Sequence, residues 1–169
     1  ALCDSMGAAI PLGLGIALTR PDRHVVALEG DGSLLMSPNV LATVAAAGAP
    51  NLTTILWVNG HYESSGGQAL PGAPVDWPAL ARASGIPHVA TVGEPAGLAA
   101  GLAAARRASG PAVLVLTTPR LWHEAKHLVL GYFAGVGGVI LAIALAAFFG
   151  PAIKKKQHGM VGGPPVAVL

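Results

Sequence analysis

His24-Val25-Val26-Ala27-Leu28-Glu29-Gly30-Asp31-Gly32-Ser33 is the stretch that decides how this chain folds. Residues 24–28 form a short β-branched run of the kind that makes a buried strand, and the run stops on Gly-Asp-Gly. Residues 52–58, Leu-Thr-Thr-Ile-Leu-Trp-Val, are a second such run, and it stops on Asn59. Between Gly32 and Asn59 lie 26 residues containing one helix-like stretch. That is room for one βαβ crossover, which needs about a dozen residues or more between parallel strands. In such a unit the carboxyl ends of both strands share one edge of the sheet, where open α/β folds bind ligands. The spacing therefore predicts that Asp31 and Asn59 face each other across a small gap. A carboxylate and an amide oxygen suit Mg²⁺ or Ca²⁺, and a Gly-rich turn beside them can cradle a diphosphate on its backbone N–H groups.

The flanks extend the same alternation. Upstream, residues 1–19 open with Asp4-Ser5-Met6-Gly7-Ala8-Ala9 and continue as an Ala/Leu/Gly helix, with Pro11 near its start and Arg20-Pro21-Asp22 at its end. Gly13-Leu14-Gly15 lacks the preceding strand and third glycine of a dinucleotide loop, so it reads as close helix packing. Downstream, Ser37-Pro38 predicts an N-cap and first helical residue for a helix over 39–47, closed by Gly48-Ala49-Pro50. Residues 59–68 read as a polar, flexible loop on the ligand edge. Asp76-Trp77-Pro78 predicts the cap of a short helix reaching residue 84. Residues 88–92 and 112–117 read as strands, and residues 94–109 as an Ala-rich helix between them, ending in Arg106-Arg107. Arg82, Arg106 and Arg107 are a solvated face. The order αβαβαβαβ argues for an α/β fold with a parallel sheet and helices on both faces.

Composition narrows the class. Charged residues are 11% of the chain and hydrophobic ones 53%, too apolar for an ordinary soluble domain, in which about a quarter of residues are charged. The excess is partly in residues 128–149, a run of 22 without a charge, closed by Lys154-Lys155-Lys156. That length spans a bilayer core, for which about 20 apolar residues suffice. A transmembrane helix over 128–153 is the expectation, with Gly131 and Gly135 at the spacing of a weak helix-pairing motif. Residues 119–127 are then a linker and 154–169 a basic, Gly/Pro-rich tail. Such an anchor has a conflict of orientation, because the lysines predict their own side to be cytoplasmic. A buried helix of a larger assembly and an unnatural junction are the other readings. The net charge is only +2 and no basic stripe precedes residue 150, which excludes nucleic acid as a partner. The single cysteine, Cys3, fits a reducing compartment, and no basic n-region of a signal peptide precedes Arg20.

Gly30-Asp31-Gly32 followed by Asn59 at this spacing resembles the signature of the thiamine-diphosphate (ThDP) enzymes. The resemblance implies that Asp31, Asn59 and the backbone carbonyl of His61 bind Mg²⁺, which holds the cofactor's diphosphate beside Gly30, Gly32 and Ser33. The family often has Asn-Asn where this chain has Val58-Asn59, and the second Asn is the ligand. Met6 stands where the family places a bulky apolar residue that keeps the cofactor bent. Asp4, usually Gly in the family, would offer its carbonyl to the aminopyrimidine. Tyr62-Glu63-Ser64-Ser65-Gly66-Gly67-Gln68 is similar to a string found after the Asn in phosphonopyruvate and sulfopyruvate decarboxylases. It implies substrate contacts from His61, Ser64 and the Gly66-Gly67 backbone; Glu63 is read as structural.

The resemblance covers residues 1 to about 118, taken as a ThDP diphosphate- and Mg²⁺-binding domain. It implies decarboxylation of a small 2-oxo acid, with an activating Glu supplied by a separate pyrimidine-binding domain. Ala1 opens in mid-motif, so the chain is expected to be the downstream part of something longer, inactive alone. It would need that domain, or a partner subunit, in an oligomer. The ThDP domain is expected in the cytoplasm, with the tail as its membrane anchor. Two rivals stand beside this reading: an acetolactate-synthase-like carboligase, and a membrane-tethered ThDP-binding remnant without turnover.

Overall fold

The computed structural model describes residues 5–62, 66–72 and 74–117. Strands β1 (Val25–Gly30), β2 (Leu52–Trp57), β5 (His88–Val92) and β6 (Ala112–Leu116) form one sheet in the order β1-β2-β6-β5, and every neighbouring pair is parallel. Helix α1 (Ala9–Thr19) precedes β1, and helices α3 (Val40–Ala47), α4 (Trp77–Ala83) and α5 (Pro95–Ala105) lie in the connections between the strands. Two small elements are additional: α2, a single turn at Asp31–Leu34, and a hairpin of β3 (His61–Tyr62) with β4 (Gln68–Ala69).

Alternation along the strands sorts the core into two layers. Val25, Ala27, Leu52, Leu56, Val113 and Val115 pack with Ile10, Leu14, Val44 and Trp77 of α1, α3 and α4. Val26, Ile55, Leu114 and Leu116, one residue out of phase, pack with Leu98 and Leu102 of α5. The reason α5 lies alone on its face is topological. The chain steps from β1 to β2 and on to β5 in one direction, then returns from β5 to β6 between them. Crossovers of this kind are right-handed, so a step in the reverse direction carries its helix to the opposite face. Because all four strands run the same way, Gly30, Trp57, Leu116 and Val92 end on one edge.

The expected strands and helices are present with small shifts at their ends. Gly13 is a close-packing glycine, as expected: a Cβ there would lie 3.1 Å from the Cβ of Ala27. Asp76 caps α4 through Ala79 N at 2.9 Å. Ser37 is not the cap of α3. The helix starts at Val40 behind Asn39, no side chain caps it, and the Ser37 carbonyl accepts from Val40 N in a lead-in turn. In the 59–68 segment, read as a polar, flexible loop, His61 and Tyr62 pair as a strand with Gln68 and Ala69. The linker, transmembrane and tail assignments at 119–169 lie outside the described residues. Among the described residues no helix is long and apolar enough to cross a membrane.

At the other edge of the sheet, the His24 Nε2 atom lies 2.9 Å from Oγ1 of the fully buried Thr53. Burial, and then the nearby Arg106, push the imidazole below its ordinary value. A native pKa below the unfolded one means that the unfolded chain binds the extra proton first. Stability is therefore complete above the ordinary His value of about 6.5 and falls as pH drops through the interval beneath it. The denaturation midpoint is expected to decline over that interval, and His24→Gln to flatten the decline. An equal slope in the variant would remove His24 as its source.

Candidate functional site

The β1 strand ends on Gly30 in extended conformation, and the chain turns at once into α2, with Asp31 in its first turn. Asp31 is 1% exposed. Its Oδ1 accepts from Gly32 N at 2.8 Å and its Oδ2 from Gly60 N at 2.8 Å; Asn59 N also donates to it. The second of these bonds joins the end of β1 to the turn after β2, as the Gly30–Trp57 register requires. Burial pushes the Asp31 carboxyl above the ordinary carboxylate range, while the Gly60, Gly32 and Asn59 amides pull it back.

Asn59 is half-buried in that turn. Its Oδ1 accepts from His61 N at 2.9 Å, and its carbonyl lies 2.8 Å from His61 Nδ1, so the exposed His61 folds back on it. Gly60, between them, has φ +73°, a conformation that side chains disfavour. The hairpin follows directly: Gly67 N donates to Tyr62 O and Leu70 N to Gly60 O. Its Tyr62 ring lies over Gly32, where a Cβ would come within 2.7 Å of Tyr62 Cδ1 and 3.1 Å of Leu70 Cδ2. The glycine of the Gly-Asp-Gly run is thus needed for lack of space.

Of the residues singled out in the sequence, the structure brings Asp31, Gly32, Asn59 and His61 together, with Gly30 and Ser33 flanking Asp31. Gly7 N donates to Ser33 Oγ at 2.8 Å, so the segment carrying the half-buried Met6 is attached to the same turn. Gly66 and Gly67 are exposed at the hairpin end. Asp4 and Ser64 lie outside the described residues. Two participants were missed. Tyr62 had no assigned partner. Glu29, 2% exposed, points among the α1 and β1 side chains, where Val25 and Ala27 precede it on the same face. Its signal in the sequence is a lone carboxylate inside an apolar strand.

Three oxygens offered by Asp31, Asn59 and the His61 backbone make a hard donor set. The Gly32, Gly60 and Asn59 amides occupy part of the acceptor capacity of the Asp31 carboxylate, and what remains is available to a cation. Among the described residues no three His, Cys, Asp or Glu side chains converge. A cation here would thus be held by one carboxylate and neutral oxygens, with the rest of its shell left for ligand phosphates or water. The residues fit a diphosphate chelated to a divalent cation.

The thiamine pyrophosphate enzyme, C-terminal TPP binding domain, family matches residues 1–116. The chain belongs to this family. Phosphonopyruvate decarboxylase of Streptomyces hygroscopicus is 43% identical over 112 residues, covering 66% of this chain and 28% of that protein. Sulfopyruvate decarboxylase subunit beta of Methanothermobacter thermautotrophicus is 42% identical over 82 residues, 48% of this chain and 44% of the subunit. The structure of a thiamine diphosphate-dependent 4-hydroxybenzoylformate decarboxylase from Rhodococcus jostii RHA1 matches with a TM-score of 0.59 at 26% identity, over 67% of this chain and 23% of that one. The chain spans less than half the length of each. The parallel α/β fold agrees with that of the matched thiamine diphosphate-dependent structure.

The contact between Gly32 and Tyr62 sets a stability test. Gly32→Ala is expected to cost about 1–3 kcal/mol in denaturant unfolding, the usual penalty for overpacking. In the Tyr62→Ala background most of that cost should vanish, a coupling of about 1 kcal/mol or more. Additive costs would show that the ring is not what excludes a side chain at position 32.

Proposed function

We propose that this chain is the diphosphate- and Mg²⁺-binding part of a 2-oxo acid decarboxylase, acting with a pyrimidine-binding domain or subunit. The observation that carries it is the Asp31 carboxylate, bonded to Gly60 N beside Asn59 at the carboxyl edge of the sheet, in a chain of the C-terminal TPP binding domain family. Asp31, the Asn59 amide oxygen and the His61 carbonyl would hold Mg²⁺. Gly30, Gly32 and Ser33 would lie along the diphosphate, and Met6 and the Asp4 carbonyl toward the rings. What bound ThDP supplies is an electron sink for loss of CO₂ from the 2-oxo acid. The part left to this chain's own residues is to bind and orient the cofactor, and to meet the substrate with the 61–67 segment.

Two relatives support the substrate class, since their names specify phosphonopyruvate and sulfopyruvate as what they decarboxylate. On that reading His61, Ser64 and the Gly66-Gly67 backbone face a phosphonate or sulfonate. The subunit named beta supports a two-part enzyme. Residues 1–118 are the ThDP domain, in keeping with β6 ending at Leu116. For residues 128–153 a membrane-spanning role rests on the apolar sequence alone. If it holds, the full chain should stay with the membrane pellet through alkaline carbonate washing.

Calorimetric titration of ThDP into the chain, with and without Mg²⁺, tests the cofactor site. Mg²⁺-dependent binding is expected, weakened in Asp31→Ala by roughly a hundredfold, as for the loss of a charged interaction worth about 3 kcal/mol. Equal affinity in the variant would overturn the site. With a pyrimidine-binding partner supplied, CO₂ release from phosphonopyruvate or sulfopyruvate, and not from pyruvate, is expected. Acetolactate formation from pyruvate would identify a carboligase instead.

A further inference from the structure

Glu29 is buried on the α1 face of β1, where an apolar residue would be the default. Burying a carboxylate costs several kcal/mol unless donors replace its water. Its donors come from another part of the chain. Oε2 accepts from Ile10 N at 3.4 Å, and the Ser33 hydroxyl and the Ala9 amide are the neighbouring groups that favour its ionised form against burial. Ser33 Oγ in turn accepts from Gly7 N at 2.8 Å, so its own hydrogen is available for Glu29.

This arrangement supplies what α1 lacks. The first N–H groups of a helix have no partner within it. The N-cap of α1 is Ala8, which makes no side-chain cap, and no acidic residue lies in the first turn. Glu29 reaches from the neighbouring strand to fill that role, with its charge at the favourable end of the helix dipole. Gly7 completes the fit: its φ is +79°, and a Cβ there would lie 3.0 Å from the Cβ of Ser37. The segment ahead of α1 is therefore fixed by its backbone amides and by the lack of a side chain at Gly7.

We propose that Glu29 is a positioning residue: through Ser33 and the Ala9 and Ile10 amides it holds the Met6-Gly7 segment against the Gly30-Asp31-Gly32 turn. Resting on the cofactor reading above, the consequence is that the ring side and the diphosphate side of the site are kept in register by one buried carboxylate. Glu29 touches no reacting atom in this scheme; it acts through residues 5–10.

Amide hydrogen exchange on the full chain, read by NMR, tests the clamp without cofactor. In Glu29→Leu the Gly7, Ala9 and Ile10 amides should exchange at least about tenfold faster, with β2 and β6 amides unchanged. Glu29→Gln, which keeps an acceptor, should restore most of the protection. Ser33→Ala, at a partly exposed site, should expose Gly7 alone and guards against a Glu29→Leu chain that does not fold. Unchanged exchange at Gly7 in Ser33→Ala, or equal exchange in Glu29→Leu and Glu29→Gln, would overturn the proposal. The same variants titrated with ThDP and Mg²⁺ separate the two readings. Loss of affinity in Glu29→Leu and its recovery in Glu29→Gln support the link to the cofactor. Faster exchange with ThDP affinity unchanged would refute that link. A wild-type chain with protected amides that binds no ThDP would count against the function while leaving the clamp in place.

Discussion

The bond from Gly60 N to the buried Asp31 carboxylate, 2.8 Å long, is the constraint on which the site depends. It joins the ends of two adjacent parallel strands, so the turn after β2 cannot move away from the turn after β1. The carboxylate is kept out of water by the packing around it, which raises its pKa. The backbone amides of Gly60, Gly32, Asn59 and Asp31 itself oppose that rise. Amide dipoles stabilise the charge without cancelling it, as a lysine or arginine would. The negative charge therefore still acts on whatever cation approaches the sheet edge.

The topology explains why that edge is where the chemistry collects. Only parallel strands bring four carboxyl ends to one side, and only a connection that reverses direction puts a helix on each face. With α1, α3 and α4 on one face and α5 on the other, both layers of the core are filled mainly by Val, Leu and Ile, with Ala and Trp77 in the first and Trp57 in the second. Among the described residues the buried interior is therefore almost wholly apolar. The exceptions among the buried residues are Glu29, Asp31, Thr53 and Thr54. The two acids stand at the end of β1, and each is matched to amides of a different segment.

Much of this was legible in the sequence because strands and long helices announce themselves by pattern. The His88–Val92 strand matches its expected span residue for residue, and the Asp31–Asn59 juxtaposition followed from a count of residues between two strand ends. The rest is tertiary. A one-turn helix at Asp31 has no period to detect. Strands of two residues, as in the β3–β4 hairpin, are too short to show alternation. Ser37 failed as a cap because a residue with the right chemistry was followed by a turn before the helix, leaving Val40 N bonded to its carbonyl instead. Glu29 was visible as an oddity in an apolar run, but its Ile10 N donor lies 19 residues away in sequence, which no local pattern reports.

Glu29 and Asp31 stand two residues apart on one strand end, yet they serve different neighbours. Glu29 lies beneath the sheet edge and gathers the amides at the start of α1; Asp31 turns sideways and gathers those of the β2 turn. Ser33, half a turn of α2 further on, touches the first system through Gly7. A strand end so arranged is a junction for three segments that are far apart in the chain. Packing alone would tolerate slippage of one segment past another by a fraction of an ångström. Buried charge bound to backbone amides does not, because any shift leaves an unpaired acceptor in an apolar interior at a cost of about 1–3 kcal/mol or more. The short Glu-Gly-Asp-Gly-Ser run thus does more than offer ligands: it sets the position of the chain on both sides of the place where a ligand would bind.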